Sequence, residues 1–137
     1  MQSGDNVLIT GIGGGVALLA LQICVAFGAN VYVTSGSEDK IRKAVALGAK
    51  GGVNYKDGLS CTREEYPCRI RSNPESIGLA KWQNKLHDLM KQEAAKAPVK
   101  TDGPVLLSAV IDSAGGDLVS RVNRILRSGG RIVVYGM

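Results

Sequence analysis

The sequence predicts an α/β domain with a doubly wound parallel sheet of Rossmann type. Three observations carry that expectation. Short apolar runs alternate with longer segments of helical periodicity along most of the chain. The connections between them are short, as right-handed βαβ crossovers require. The first run ends in the glycine cluster Gly11-Ile12-Gly13-Gly14-Gly15 and passes straight into an apolar helical pattern. The expected strand order is 3-2-1-4-5, with a crevice above the carboxyl ends of strands one and four. A closed barrel of such units needs about 250 residues, and the chain has 137.

The elements follow in order. Val7-Leu8-Ile9-Thr10 reads as the first strand. Gly14 to Phe27 reads as a helix closed by Gly28, since glycine accepts the left-handed turn of a C-terminal cap. Asn30 to Thr34 is the second strand. Ser37 is the expected N-cap of the second helix, with Glu38 and Asp39 in its first turn and Gly48 past its end. Gly52-Val53-Asn54-Tyr55 is a short third strand. Trp82 to Ala97 reads as a helix, Val105 to Asp112 as the fourth strand, and Asp117 to Arg127 as a helix closed by Gly129-Gly130. Arg131 to Tyr135 is the fifth strand.

One segment breaks the alternation. From Gly58 to Lys81 there is no sustained periodicity, and about 24 residues of structureless loop is unusual inside a compact domain. It reads as an irregular surface insertion at 58–81. A sharper alternative is an intron translated in frame, because joining Asp57 to Trp82 restores an ordinary loop-to-helix connection.

Composition narrows the class. The chain is 45% hydrophobic with one Trp and one Phe, so Val, Ile, Leu and Ala make the core, as suits a parallel sheet covered on both faces. Much of the net charge of +5 arises between Arg63 and Lys100 and reads as a solvated basic face, not a nucleic-acid surface. Cys24 lies in an apolar helical pattern as a small buried hydrophobe. Cys61 and Cys68 lack zinc spacing, and the single histidine, His87, reads as an exposed helix residue with no Asp or Ser partner. Unpaired thiols, no export signal and no apolar run long enough to span a membrane point to the cytoplasm.

The glycine loop lets backbone N–H groups approach a phosphate, and the helix start adds partial positive charge. The fingerprint G-x-G-x-x-G/A fits best as Ile12-x-Gly14-x-x-Ala17, with Ile in its first slot. The loop backbone is therefore expected to differ from the standard dinucleotide turn. An NAD-preferring site commonly ends its second strand with Asp or Glu, but here the strand ends Val33-Thr34-Ser35-Gly36. Ser37 and Lys40 offer a hydroxyl and an ammonium, which suit a 2′-phosphate. Their plainer readings are an N-cap and a solvated surface lysine.

Five segments, in order, resemble the nucleotide-binding domain of the medium-chain dehydrogenase/reductase superfamily, and most of all its quinone-oxidoreductase and zinc-type alcohol-dehydrogenase-like branch. They are Gly4 to Gly11, Gly13-Gly14-Gly15-Val16, Thr34 to Lys40, Leu47-Gly48-Ala49 leading to Val53-Asn54-Tyr55, and Val110 to Gly116 leading to Gly129 through Gly136. The resemblance implies an oxidoreductase domain that binds NADP(H), whose sheet stops short of the family's last strand or strands and whose N-terminal catalytic domain, with most of the substrate site and any zinc ligands, is absent here. NADPH-using relatives set a helix lysine and a tyrosine after the third strand against the 2′-phosphate, and Lys40 and Tyr55 match those positions. Tyr55 also reads as a strand-end aromatic. The candidate cofactor-binding residues are Gly13, Gly14, Gly15 and Val16 in the loop, Ser35, Ser37, Lys40 and Tyr55 around the phosphate, and Ser113, Ala114 and Gly136 at the nicotinamide-ribose side. Asp112 reads equally as a structural carboxylate capping its turn. No catalytic residue and no zinc site is expected within the chain. The implied partner is a small carbonyl, enone or quinone-like substrate, with a homodimer of the full-length enzyme and no nucleic acid or membrane. The alternatives are a non-catalytic NADPH-binding or interaction module and a truncated product without activity.

Overall fold

The computed structural model describes residues 1–54, 82–97, 103–113 and 118–135. Their elements are β1 (Asn6–Ile9), α1 (Gly15–Ala26), β2 (Asn30–Ser35), α2 (Glu38–Ala46), β3 (Gly51–Asn54), α3 (Trp82–Lys96), β4 (Leu107–Asp112), α4 (Leu118–Val122) and β5 (Leu126–Val134). The strands pair in parallel in the order β3-β2-β1-β4-β5, as predicted.

Side chains alternate across a strand, so each strand serves both faces of the sheet. Val7, Ile9, Val31 and Val33 meet Leu21 and Cys24 of α1 and Ile41 and Ala44 of α2 on one face. Leu8 and Tyr32 point the other way, toward Trp82, Leu86 and Met90 of α3 and Leu118 and Val122 of α4. A strand covered on both sides needs apolar residues at every position, which is why Val7-Leu8-Ile9 shows no alternation. β2 and β4 flank β1 on opposite sides. The chain therefore leaves β1 and β4 toward opposite faces, which opens a crevice at their carboxyl ends.

Burial pushes the Cys24 thiol above its ordinary pKa. No helix among the described residues is long and apolar enough to cross a membrane. The insertion expected at 58–81, with Cys61 and Cys68, lies outside the described residues.

Four expectations are corrected. The helix predicted over Asp117–Arg127 is only the short α4, and Leu126–Val134 belongs to β5. A local turn closes where Ile125 N–H bonds to Val122 O at 2.9 Å, and a non-local bond, Leu107 N–H to Ile125 O at 2.6 Å, draws the chain onto β4. Gly129 and Gly130, expected as a helix cap, lie within β5, where pairing with β4 shifts register between Leu107 and Ala109. The fourth strand begins at Leu107, not Val105. His87 is half-buried rather than exposed, with Nε2 3.0 Å from Val105 O, so its ring ties α3 to the approach to β4.

Candidate functional site

The β1–β4 ladder continues one residue past β1, where Thr10 N–H bonds to Ile111 O at 3.0 Å. The chain then reverses at Gly11 (φ 63°) and Gly13 (φ 137°), while no non-glycine residue among those described has positive φ. Between them Ile12 is buried and its N–H bonds to Thr34 O at 3.3 Å. Ile therefore occupies the first fingerprint slot because the left-handed steps fall on its two neighbours. Ala17, in the third slot, is fully buried between α1 and the sheet, where a small residue permits close packing.

Gly14 is the N-cap of α1, with φ −81° and ψ 155° and no side chain capping the helix. The first-turn N–H groups of a helix have no intrahelical acceptor. A Cβ added at Gly14 or Gly15 would meet nothing within 4 Å, so both face open space. Val16 is 59% exposed beside them. Together these residues place unshielded N–H donors and the positive end of α1 at the crevice, an arrangement suited to an anion.

A cleft of about 250 Å³ lies next to this loop, lined by Gly11, Ile12, Gly13, Gly14, Ser35, Gly36, Ser37 and Lys40. Lys40 is the one charged residue among the described residues of that lining. Its side chain runs across Gly13: a Cβ there would stand 3.0 Å from Lys40 Cδ and 3.2 Å from its Nζ. Ser35, buried at the end of β2, accepts a hydrogen bond from Ser37 N–H at 3.1 Å. Ser37 holds the N-cap position, but its side chain makes no capping bond. Ser35 has already closed the turn, and the half-buried Ser37 hydroxyl is left to the cleft. Neither Glu38 nor Asp39 lines the cleft, and Asp39 lies 4.0 Å from Arg42 on the exposed side of α2.

The other half of the crevice is built by β4. Thr10 Oγ1 donates to Asp112 Oδ1 at 2.5 Å and accepts from Ser113 N–H at 3.1 Å. The Ser113 hydroxyl donates to Thr10 O at 3.4 Å. Asp112 is thus a buried carboxylate at the β1–β4 junction. Ser113 stands beside Gly11, where an added Cβ would run into its Oγ. Of the sequence-predicted site residues, Gly13, Gly14, Ser35, Ser37 and Lys40 share one cleft, with Gly15 and Val16 at its helix and Ser113 across the loop. Tyr55, Ala114 and Gly136 lie outside the described residues. The sequence reading missed Gly11, Ile12 and Gly36 in the lining and Thr10 at the junction. Thr10 had a usable signal: it ends the first strand of a predicted 3-2-1-4-5 order, beside the end of the fourth.

A larger hollow of about 360 Å³ sits at the opposite end of the sheet, lined by Asn6, Asn30, Tyr32, Lys50, Glu93 and Lys96 among others. Its size does not make it the site, because open α/β sheets bind ligands at the carboxyl ends of their strands, at the switch in strand order.

A doubly wound parallel sheet with a glycine loop at its switch point has the architecture of a nucleotide-binding α/β domain. Residues 15–137 match the family described as zinc-binding dehydrogenase, and the chain belongs to that family, as a nucleotide-binding domain of the medium-chain dehydrogenase/reductase superfamily. It is 40% identical over 134 residues to the zinc-type alcohol dehydrogenase-like protein YogA of Leptosphaeria maculans, covering 98% of this chain and 29% of that protein. A solved NAD-dependent alcohol dehydrogenase matches with a TM-score of 0.62 and 30% identity, over 97% of this chain and 29% of that one. The crotonyl-CoA carboxylase/reductase AntE, solved in complex with NADP, matches in fold with a TM-score of 0.60 and 20% identity, over 99% of this chain and 31% of that one. The chain therefore spans less than a third of the length of these relatives. Among the described residues no three His, Cys, Asp or Glu side chains gather as a metal site requires.

Proposed function

We propose that this domain binds NADP(H) for an oxidoreductase that transfers hydride to or from a carbonyl, enone or quinone-like substrate. The cofactor choice rests on one observation: among the described residues, the cleft at the end of β2 is lined by Lys40 and Ser37 and by no carboxylate. The two solved relatives are described with different cofactors, NAD and NADP, so the choice has to come from this chain's own β2–α2 turn. A 2′-phosphate there meets the Lys40 ammonium and the Ser37 hydroxyl through charge-assisted hydrogen bonds. Tyr55, which follows β3 past the Asn54–Ser35 pair of the sheet, completes the phosphate site in this reading. Gly13, Gly14, Gly15 and Val16 carry the pyrophosphate at the helix start. Ser113, Ala114 and Gly136 line the nicotinamide side. When bound, the nicotinamide supplies the hydride, and the protein orients it. The substrate class and a homodimer of the full-length enzyme come from the family resemblance alone, and a cytoplasmic location from the sequence reading of the thiols. A catalytic domain outside these residues is implied by the same resemblance, while the irregular insertion at 58–81 rests on the missing periodicity of that segment.

Titration of the chain with NADPH and NADH, by fluorescence or calorimetry, tests the reading. NADPH is expected to bind more tightly. Lys40→Ala should cost ~1–3 kcal/mol for NADPH, the size of a charge-assisted hydrogen bond, and little for NADH. Equal affinities in the unaltered chain, or a preference for NADH, refute the assignment.

A further inference from the structure

The carboxyl ends of β1 and β4 are joined by side chains as well as by the backbone ladder. Thr10 and Asp112 are 3% and 1% exposed, the last residues of their apolar strands to be sealed from water. The Thr10 hydroxyl is used in both directions. Its proton goes to Asp112 Oδ1 at 2.5 Å, and its oxygen accepts Ser113 N–H at 3.1 Å. A buried carboxylate is costly unless its oxygens are hydrogen-bonded, so a pair that served packing alone would be better made of valines. Ser113 in turn leans on the glycine loop: its hydroxyl reaches Thr10 O at 3.4 Å, and it leaves no room for a Cβ at Gly11.

We propose that Thr10 and Asp112 are positioning residues, a clasp that holds the Ser113 turn against Gly11 and so sets affinity for the nicotinamide half of the cofactor. The proposal rests on the NADP(H) reading above. Its location supports it. The clasp stands at the switch in strand order, where the second half of a dinucleotide crosses toward β4. Neither Thr10 nor Asp112, nor the Ser113 they hold, lines the Lys40 cleft. The two halves of the cofactor thus meet separate devices, Lys40 and Ser37 for the 2′-phosphate and the clasp for the nicotinamide ribose.

The test separates those halves with two ligands. NADPH spans both, while 2′,5′-ADP carries the phosphorylated adenosine and no nicotinamide. Thr10→Val removes the donor and the acceptor together. It should lower NADPH affinity about tenfold and leave 2′,5′-ADP affinity unchanged. Thr10→Ser keeps the hydroxyl and should restore NADPH binding. Lys40→Ala should weaken both ligands. Should Thr10→Val fail to fold, Asp112→Asn, whose amide oxygen can still accept the Thr10 proton without the carboxylate's charge, carries the test. It should show the same selective loss, about threefold. Unchanged NADPH affinity in the folded variant, an equal loss for both ligands, or a Thr10→Ser variant that behaves like Thr10→Val overturns the clasp. A wild-type chain that binds neither ligand refutes the NADP(H) reading itself, and the clasp falls with it.

Discussion

Tyr32 sits in the middle of β2 with 1% of its surface exposed, and it borders the hollow at the amino ends of the strands. Burial, and then the nearby charge of Glu93, push its hydroxyl up to about 12, against about 10 in an unfolded chain. The folded state therefore holds the proton more tightly than the unfolded state. The contribution of Tyr32 to stability is complete below pH 10 and is lost as pH rises through 12, at about 1.4 kcal/mol per pH unit. Urea unfolding at pH 9 and at pH 11.5 checks this. The stability difference between the natural chain and Tyr32→Phe should shift by about 2 kcal/mol against the tyrosine over that interval. A difference independent of pH would mean that the phenol is hydrated in the folded protein. Single residues also mark where sequence reading stopped. Ser37 was expected to cap α2 with its side chain, yet Ser35 closes that turn instead. Two serines two positions apart offer the same chemistry, and backbone geometry alone chose between them.

At the scale of elements, α1 is the instructive case. Its sequence, GVALLALQICVA, is apolar nearly all round, so periodicity marks a helix without marking its buried face. The structure buries Ala17, Leu21 and Cys24 and leaves Val16, Leu19, Ile23 and Phe27 exposed. Leu21 and Leu19 are the same residue on opposite faces. Leu21→Ala should destabilise the chain by ~2–5 kcal/mol, the cost of a core truncation, and Leu19→Ala by no more than about 0.5 kcal/mol. Chemical denaturation of the two variants measures both, and equal losses would show that the outer face of α1 is covered in solution. The α4–β5 boundary failed for a related reason. Asp117 to Arg127 has a helical pattern, but pairing of Leu126 with Leu107 on β4 outweighs it.

For the whole molecule, the chain spans 29% of the length of the YogA protein and 29% of that of the NAD-dependent alcohol dehydrogenase. In the proposed reading, substrate is held by sequence outside these residues. Placing a substrate at reacting distance from a cofactor can be worth roughly 7–11 kcal/mol of the barrier. The 137-residue chain should therefore bind NADPH and show no measurable turnover with enals or quinones. NADPH at about 100 times its Kd should raise the unfolding free energy by about 2.7 kcal/mol, readable as a higher Tm. Rapid NADPH oxidation by the pure chain would place substrate binding within it. Stabilisation without turnover is equally the behaviour of a non-catalytic NADPH-binding module. Restoring the sequence that adjoins this domain in its longer relatives, and assaying again, distinguishes the two.

Much of this protein was legible from sequence because it is written in local terms. A strand buried on both faces has to be continuously apolar, as Val7-Leu8-Ile9 is, and the left-handed reversals have to fall on glycines, as at Gly28 and Gly48. Alternation of strand and helix, together with the handedness of crossovers, then limits the strand order to very few choices. The cleft residues Gly13, Gly14, Ser35, Ser37 and Lys40 were legible for the same reason, since each sits within a few positions of a strand end or helix start. Tertiary structure alone decided that Ile12 fits between two reversed glycines, that His87 is tied to Val105, and that α1 buries Leu21 rather than Leu19. It also brought Thr10 to Asp112, 102 positions apart in the chain. Local preference depends on near neighbours and survives in a short window of sequence. Burial and side-chain pairing depend on which distant segments the sheet sets side by side, and no short window contains them.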